Sequence, residues 1–176
     1  VSMSGVGPLM GDISWMALKS NGFVVELGVF SGEGSTVAIQ QGLAYHPDPL
    51  HISVEWDPNN LDKHKPMVDW WKFIVGDSRD PASLYVAQAL AKKFGDGRKA
   101  GLIFIDTLHD YQQMHDELDL WQDMADDQTV WLMHDTVMYG VDNVEMVRAI
   151  TEFADANGWK YEDYRRDSHG LGRMRR

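Results

Sequence analysis

Two short stretches carry residues whose types and spacing suit acid–base and metal chemistry. Asp106-Thr107-Leu108-His109-Asp110 directly follows the apolar run Leu102-Ile103-Phe104-Ile105, and His134-Asp135-Thr136 directly follows Thr129 to Met133. If both apolar runs are neighbouring strands, Asp106 and Asp135 share one side of a cleft at the strand ends. Two carboxylates, a side-chain hydroxyl and waters suit an octahedral Mg²⁺. Such an ion binds a substrate hydroxyl and lowers its pKa, generating an alkoxide-like nucleophile near neutral pH. His109, in the turn after Asp106, is then placed to take the proton as general base. The expected catalytic residues are Asp106, His109 and Asp135. A blander reading makes the acids helix caps and treats His109, His115 and His134 as packing or surface residues.

A second constellation lies at Val24 to Thr36. Phe23 to Leu27 reads as a buried strand, which breaks into a turn containing Gly28, Gly32 and Gly34. Helical spacing follows from Thr36. Strand, glycine turn and helix N-terminus form a cradle for a nucleotide-like ligand, because glycine lets the backbone approach and the helix presents free N–H groups. The order G-x-x-x-G-x-G departs from the G-x-G-x-x-G suited to a dinucleotide pyrophosphate. Glu26 would repel a phosphate and welcome an ammonium. Together these features favour S-adenosylmethionine (SAM) over NAD, with Glu26, Gly28, Gly32 and Ser35 at the methionine end. Glu55, about 20 residues beyond the glycine turn, is placed to accept the ribose hydroxyls. Trp56 can lie against the adenine face, and Asp77 and Ser78 along its edge.

The elements that must position these residues alternate along the chain. A short helix from Gly11 to Ser20, with Asp12 as its cap, precedes the first strand, and residues 1–10 read as a flexible lead. Further strands are expected at 50–55, 72–75, 102–105 and 129–133, and helices at 81–94, 111–124 and 143–156. Asp80-Pro81 and Gly95 bracket one of these helices. A C-terminal hairpin turns through Asp167 to Gly170. This order predicts an α/β, doubly wound, mostly parallel sheet with one antiparallel strand at its edge. In such sheets the ligand lies across the carboxyl ends of the strands, where Glu26, Glu55, Asp77, Asp106 and His134-Asp135 all fall. Asp116, Glu117, Asp119 and Asp123 read as a solvated helix face. Trp121 and Trp131 read as core, while Trp70, Trp71 and Tyr139 fall in expected loops that can line an acceptor pocket.

Composition narrows the class. The 176 residues fit one domain, with 44% hydrophobic residues, enough to bury a core. A formal net charge of −11 argues against nucleic acid or an anionic membrane as partner. The absence of cysteine excludes disulfides and thiolate metal sites. No apolar run reaches membrane-spanning length, and no signal pattern opens the sequence, so a cytoplasmic location is expected.

At this point the chain resembles the class I SAM-dependent O-methyltransferases, in particular the metal-dependent catechol O-methyltransferase type and the bacterial sugar and antibiotic O-methyltransferases. Glu26-Leu27-Gly28-Val29-Phe30-Ser31-Gly32 resembles the motif that holds the methionine part of SAM, which adds Phe30 to the expected contacts. Val54 to Pro58 resembles the ribose-binding acid and its adenine neighbour, and Val75 to Asp80 the adenine-edge loop. Ile105-Asp106 and Leu132 to Thr136 match the strand ends that carry the magnesium ligands. Thr136 stands where the catechol enzymes use asparagine, and the resemblance makes Asp106, Asp135 and Thr136 the metal set. It implies a Rossmann-like seven-stranded sheet with helices on both faces. A single methyltransferase domain over 1–176 is expected, with 1–21 as a short N-terminal segment and 22–176 as the catalytic core. It also implies SAM and Mg²⁺ as cofactors and a small-molecule or sugar acceptor bearing a hydroxyl. The short N-terminal segment is consistent with an open site, with completion by a second subunit as in a homo-oligomer, or with a large acceptor. The rival readings are a non-catalytic SAM-binding or assembly subunit and an NAD-linked oxidoreductase.

Overall fold

The computed structural model describes residues 7–63, 68–138 and 140–176. Strands and helices alternate as α1 (Met10–Lys19), β1 (Phe23–Leu27), α2 (Ser35–Leu43), β2 (His51–Glu55), α3 (Pro58–Lys63) and β3 (Trp71–Val75). The chain continues through α4 (Pro81–Phe94), β4 (Ala100–Ile105), α5 (Tyr111–Trp121) and β5 (Val130–His134). It ends with the two-residue strands β6 (Val137–Met138) and β7 (Val141–Asp142), then α6 (Val144–Asn157), β8 (Lys160–Arg165) and β9 (Leu171–Arg175).

Seven strands form one sheet in the order β3-β2-β1-β4-β5-β9-β8. Strands β1 to β5 pair in parallel, and β9 runs antiparallel between β5 and β8. The C-terminal strand is thus antiparallel as expected, with β8 outside it at the sheet edge. The alternation of side chains along each strand sorts the core into two layers. Val24, Leu102, Phe104 and Leu132 meet Ile13 and Ala17 of α1 and Ile39 and Leu43 of α2. Val25, Leu27, Ile103, Ile105 and Met133 meet Leu84 of α4, Met114, Leu118 and Trp121 of α5, and Ile150 of α6. Strand β4 is buried at every position, which accounts for its unbroken apolar run.

Local chemistry sets the helix ends. The Asp80 side chain accepts from the Ala82 N–H ahead of Pro81, and Asp110 accepts from Gln113 N–H. Asn143 caps α6 in the same way, and Gly158 closes it in the left-handed conformation (φ 72). Helix α5 stops at Trp121 and tightens into a 3₁₀ turn at Gln122–Met124. Among the described residues, no helix is long and apolar enough to cross a membrane.

Several expectations are corrected. Residues 7–10 are structured: Gly7–Leu9 forms a 3₁₀ turn and Leu9 is fully buried. Asp12 does not cap α1. Its carboxylate accepts from Tyr164 Oη at 3.2 Å and Arg165 Nη1 at 2.5 Å, tying the first helix to β8. Trp71 is not a loop residue but opens β3, is 6% exposed, and donates from Nε1 to Ser53 Oγ at 2.8 Å. Trp70 packs against the α1–α2 layer. Tyr139 and residues 1–6 lie outside the described residues.

Two glycines illustrate what the sheet demands. Gly28 has φ 86, and a Cβ there would lie 2.0 Å from the Asp106 carbonyl oxygen. Gly97 has φ 68 but nothing within 4 Å of the same position. Gly97→Ala should therefore cost only the left-handed backbone penalty, about 1–2 kcal/mol. Gly28→Ala should cost clearly more, because β1 and β4 must also separate. Denaturant unfolding of the two variants measures the difference, and equal losses would contradict the close approach.

Candidate active site

Strand order reverses between β1 and β4, and a crevice opens where the two diverge at their carboxyl ends. A cavity of about 840 Å³ occupies it, lined by Gly28, Phe30, Glu55, Trp56, Asp77, Ser78, Asp106, Thr107, Leu108 and Gln113 among others. That volume is in the range of small-molecule sites. Phe30, Trp56 and Leu108 stay 78%, 77% and 64% exposed around it, giving apolar faces beside the polar groups of the strand ends.

Glu55 is 5% exposed. Its Oε2 accepts from the N–H groups of Val29 (2.9 Å) and Phe30 (2.8 Å), and its Oε1 from Asp57 N–H (3.0 Å). The carboxylate thus moulds the glycine turn, holding Phe30 at φ 48. An ionised carboxylate has about four acceptor positions, so capacity remains for a hydroxyl in the cavity. Asp77 is paired with Arg79 through contacts of 2.8–3.1 Å, and that guanidinium holds its carboxyl below the usual range.

Glu26, Gly32 and Ser35, expected at the methionine end, do not line this cavity. Alternation along β1 turns Glu26 with Val24 toward α2. There its fully buried carboxylate accepts from the hydroxyls of Ser35 (2.8 Å), Thr36 (2.9 Å) and Ser53 (3.0 Å), with His51 Nε2 at 3.1 Å. The group expected to meet a ligand ammonium thus anchors the start of α2.

Glu117 is the residue that sequence reasoning missed. Expected on a solvated face, it is 0% exposed directly behind the cavity wall. It accepts from Ser78 Oγ (2.5 Å), Thr107 Oγ1 (2.7 Å) and Gln113 Nε2 (2.6 Å). Trp121 Nε1 also donates to the Ser78 carbonyl at 2.7 Å. Helix α5 therefore fixes three side chains of the cavity's far edge through one carboxylate. The signal was present: Glu117 falls between Met114, Leu118 and Trp121 on the buried i, i+3, i+4, i+7 stripe.

At the mouth, the structure brings Asp106, His109, His134 and Asp135 together and adds His169. His109 Nε2 lies 2.7 Å from Asp135 Oδ2 and 3.7 Å from Asp106 Oδ1. His134 Nδ1 lies 3.3 Å from an oxygen of each carboxylate, and His169 Nδ1 lies 3.2 Å from Asp135 Oδ1. The carboxylates Asp106 and Asp135 hold His109 up at about 9. Burial pulls His134 down, but the same two carboxylates outweigh it and raise the imidazole to about 10. Conversely, burial pushes both carboxyls up, and the histidines more than offset this, leaving Asp106 and Asp135 below the usual range. Asp135 sits at φ 60, a left-handed backbone that persists only where its surroundings impose it. The Thr136 hydroxyl, expected in the metal set, is buried beside Gly170 and Tyr161. Among the described carboxylates and imidazoles, Asp106, His134 and Asp135 offer ligand atoms that all lie within 4.8 Å of one another.

Comparison with known proteins agrees with this fold. A family model described as a methyltransferase domain matches residues 25–136, and the chain belongs to that family. No curated protein sequence matches. Among solved structures, an O-methyltransferase from Bacillus cereus in complex with S-adenosylhomocysteine (SAH) superposes with a TM-score of 0.66 at 16% identity, covering 96% of this chain and 79% of that one. CalS11, a TDP-rhamnose O-methyltransferase of calicheamicin biosynthesis, gives 0.65 at 15% identity, covering 96% and 77%. MycE from the mycinamycin pathway, in complex with Mg, SAH and mycinamycin VI, gives 0.62 at 12% identity, covering 96% of this chain and 48% of that one. Identities this low establish a shared fold.

Burial raises Glu117 to about 7 from a usual 4.5, against the pull of its three donors. The folded protein therefore keeps a proton that the unfolded chain has already released. The associated stability is full below about pH 4.5 and is lost as pH rises through about 7. Glu117→Gln cannot release that proton. Between pH 5.5 and 8, wild type should lose about 2 kcal/mol relative to this variant. Parallel denaturant midpoints across that range would contradict the shift.

Proposed function

We propose that this protein transfers the methyl group of SAM to a hydroxyl of a small-molecule or sugar acceptor, assisted by a divalent ion at Asp106 and Asp135. The observation that carries the reading is the cofactor-sized cavity at the β1/β4 switch point, which shares Asp106 with an acid–base cluster. The family match supplies methyl transfer. The sugar and macrolide contexts printed for CalS11 and MycE support a hydroxyl acceptor, and the MycE complex supports a metal.

In this reading Glu55 holds the ribose and, through Val29 and Phe30, the turn beside the methionine end. Trp56 and Leu108 flank the adenine, and Asp77, Ser78 and Gln113 meet its edge. Glu26 and Ser35 serve as the scaffold beneath. The reaction is an in-line displacement at a sulfonium methyl, so alignment of acceptor oxygen, methyl carbon and sulfur supplies much of the rate. His109 Nε2 is the atom at the mouth placed to receive the acceptor's proton. A divalent ion on the two carboxylates would offset the negative field that raises His109 and would lower the pKa of a bound hydroxyl. The residues fit such an ion: Asp106, His134 and Asp135 each offer a ligand atom within 4.8 Å of the others, in a largely buried space.

Asp106→Asn should reduce SAH release, with sugar and phenolic hydroxyl acceptors, by at least about 100-fold, a loss of roughly 2.7 kcal/mol of transition-state stabilisation. Calorimetric SAH affinity should stay within about threefold, because the metal acts on the acceptor. Undiminished turnover in this variant would remove the metal-assisted mechanism, and lost SAH binding with it would place Asp106 in the cofactor site instead.

A further inference from the structure

The cluster at the ends of β4 and β5 carries more nitrogen than an oxygen-seeking ion needs. We propose that Asp106, Asp135 and His134 bind a first-row transition-metal dication of the Mn²⁺, Fe²⁺, Co²⁺ or Zn²⁺ class, with His134 Nδ1 as a direct ligand. This rests on reading the cluster as a metal centre and extends that reading to a new ligand and a class of ion.

The geometry begins with His134, whose side chain is 4% exposed. Its Nε2 lies 3.3 Å from the Ser168 carbonyl oxygen. A carbonyl only accepts, so Nε2 carries the proton and donates. In the neutral ring this leaves Nδ1 as a lone pair, 3.3 Å from both Asp106 Oδ1 and Asp135 Oδ2. One ligand atom from each of Asp106, His134 and Asp135 fits within 4.8 Å of the others. A dication that displaces the Nδ1 proton would meet three lone-pair donors converging in a largely buried space. A backbone carbonyl holding the far nitrogen is how metal-bound imidazoles are oriented.

Two further observations point the same way. Asp135, whose side chain is 10% exposed, turns its buried Oδ1 to the His169 imidazole, 3.2 Å away. His109 Nε2, although 2.7 Å from Asp135 Oδ2, makes no directed hydrogen bond. A second imidazole nitrogen thus faces the same carboxylate.

The ion's class follows from the donors. Mg²⁺ demands near-ideal oxygen octahedra and keeps much of its water. Imidazole favours later first-row ions, while carboxylates remain compatible with Mn²⁺ and Fe²⁺. The chain contains no cysteine, so no thiolate draws the site toward soft ions. The mixed set of oxygen and imidazole is suited to an ion of intermediate character.

The 176-residue chain loaded with Mn²⁺ alone provides the test. Pulsed EPR should detect a directly coordinated nitrogen, and calorimetry should show Mn²⁺ binding more tightly than Mg²⁺. His134→Gln should remove the nitrogen signal and weaken Mn²⁺ by roughly 10- to 100-fold, with Mg²⁺ changed by no more than about twofold. Mn²⁺ bound through oxygen alone in the wild-type protein would overturn His134 ligation and leave the metal-assisted reading standing. No binding of either ion, with SAH affinity intact, would overturn both. A nitrogen signal that persists in a folded His134→Gln would overturn His134 ligation, and if that variant does not fold, loss of the signal in His109→Gln or His169→Gln would overturn it equally.

Discussion

The Asp106 carbonyl oxygen occupies the space where a side chain on residue 28 would stand. That contact lets β1 and β4 lie close at the point where the chain's path across the sheet reverses. Everything in the site is placed relative to it. Beyond the contact β1 turns toward α2 and β4 toward α5, so the cleft between them is a consequence of topology. On one side it receives the glycine turn, and on the other the Asp106 to His109 segment. A methyl donor and a proton acceptor can therefore be held on opposite sides of one rigid seam.

Buried carboxylates then divide the work. Glu26 secures the start of α2, Glu55 the glycine turn, and Glu117 the far wall of the cavity, each by accepting hydrogen bonds from the protein's own donors. A buried carboxylate furnished in this way is a rigid structural part. Asp106 and Asp135 differ, because the groups facing them are imidazoles that can carry a proton or yield a lone pair to a metal. The same side-chain chemistry gives scaffold where donors are fixed and a reactive centre where they are exchangeable.

Much of this was legible in the sequence. The continuous apolar run of β4, the Asp80-Pro81 start and Gly95 end of α4, and the acids at successive strand ends gave the sheet and the mouth of the site. Other features escaped because they depend on which way a side chain turns. Glu26 is one residue from the strand end, and the period of two sends it to the α2 layer. Glu117 carries a charge that suggests water, although its spacing from Met114 and Trp121 marks the buried stripe. Asp12 resembles a cap locally, but its partners, Tyr164 and Arg165, lie some 150 positions away along the chain. His134, the last residue of β5, approaches both carboxylates, a contact that depends on the turn of the strand end rather than on residue type.

The central claim is that the cleft between β1 and β4 holds SAM. Thermal unfolding of the full chain with SAM, SAH or NADH tests it most directly. A ligand at about 100 times its dissociation constant adds roughly 2.7 kcal/mol, enough to move the midpoint by several degrees. SAM and SAH should each raise the midpoint by that amount, and NADH should leave it unchanged. A rise with NADH alone, or with none of the three at millimolar concentration, would contradict the assignment of the cleft.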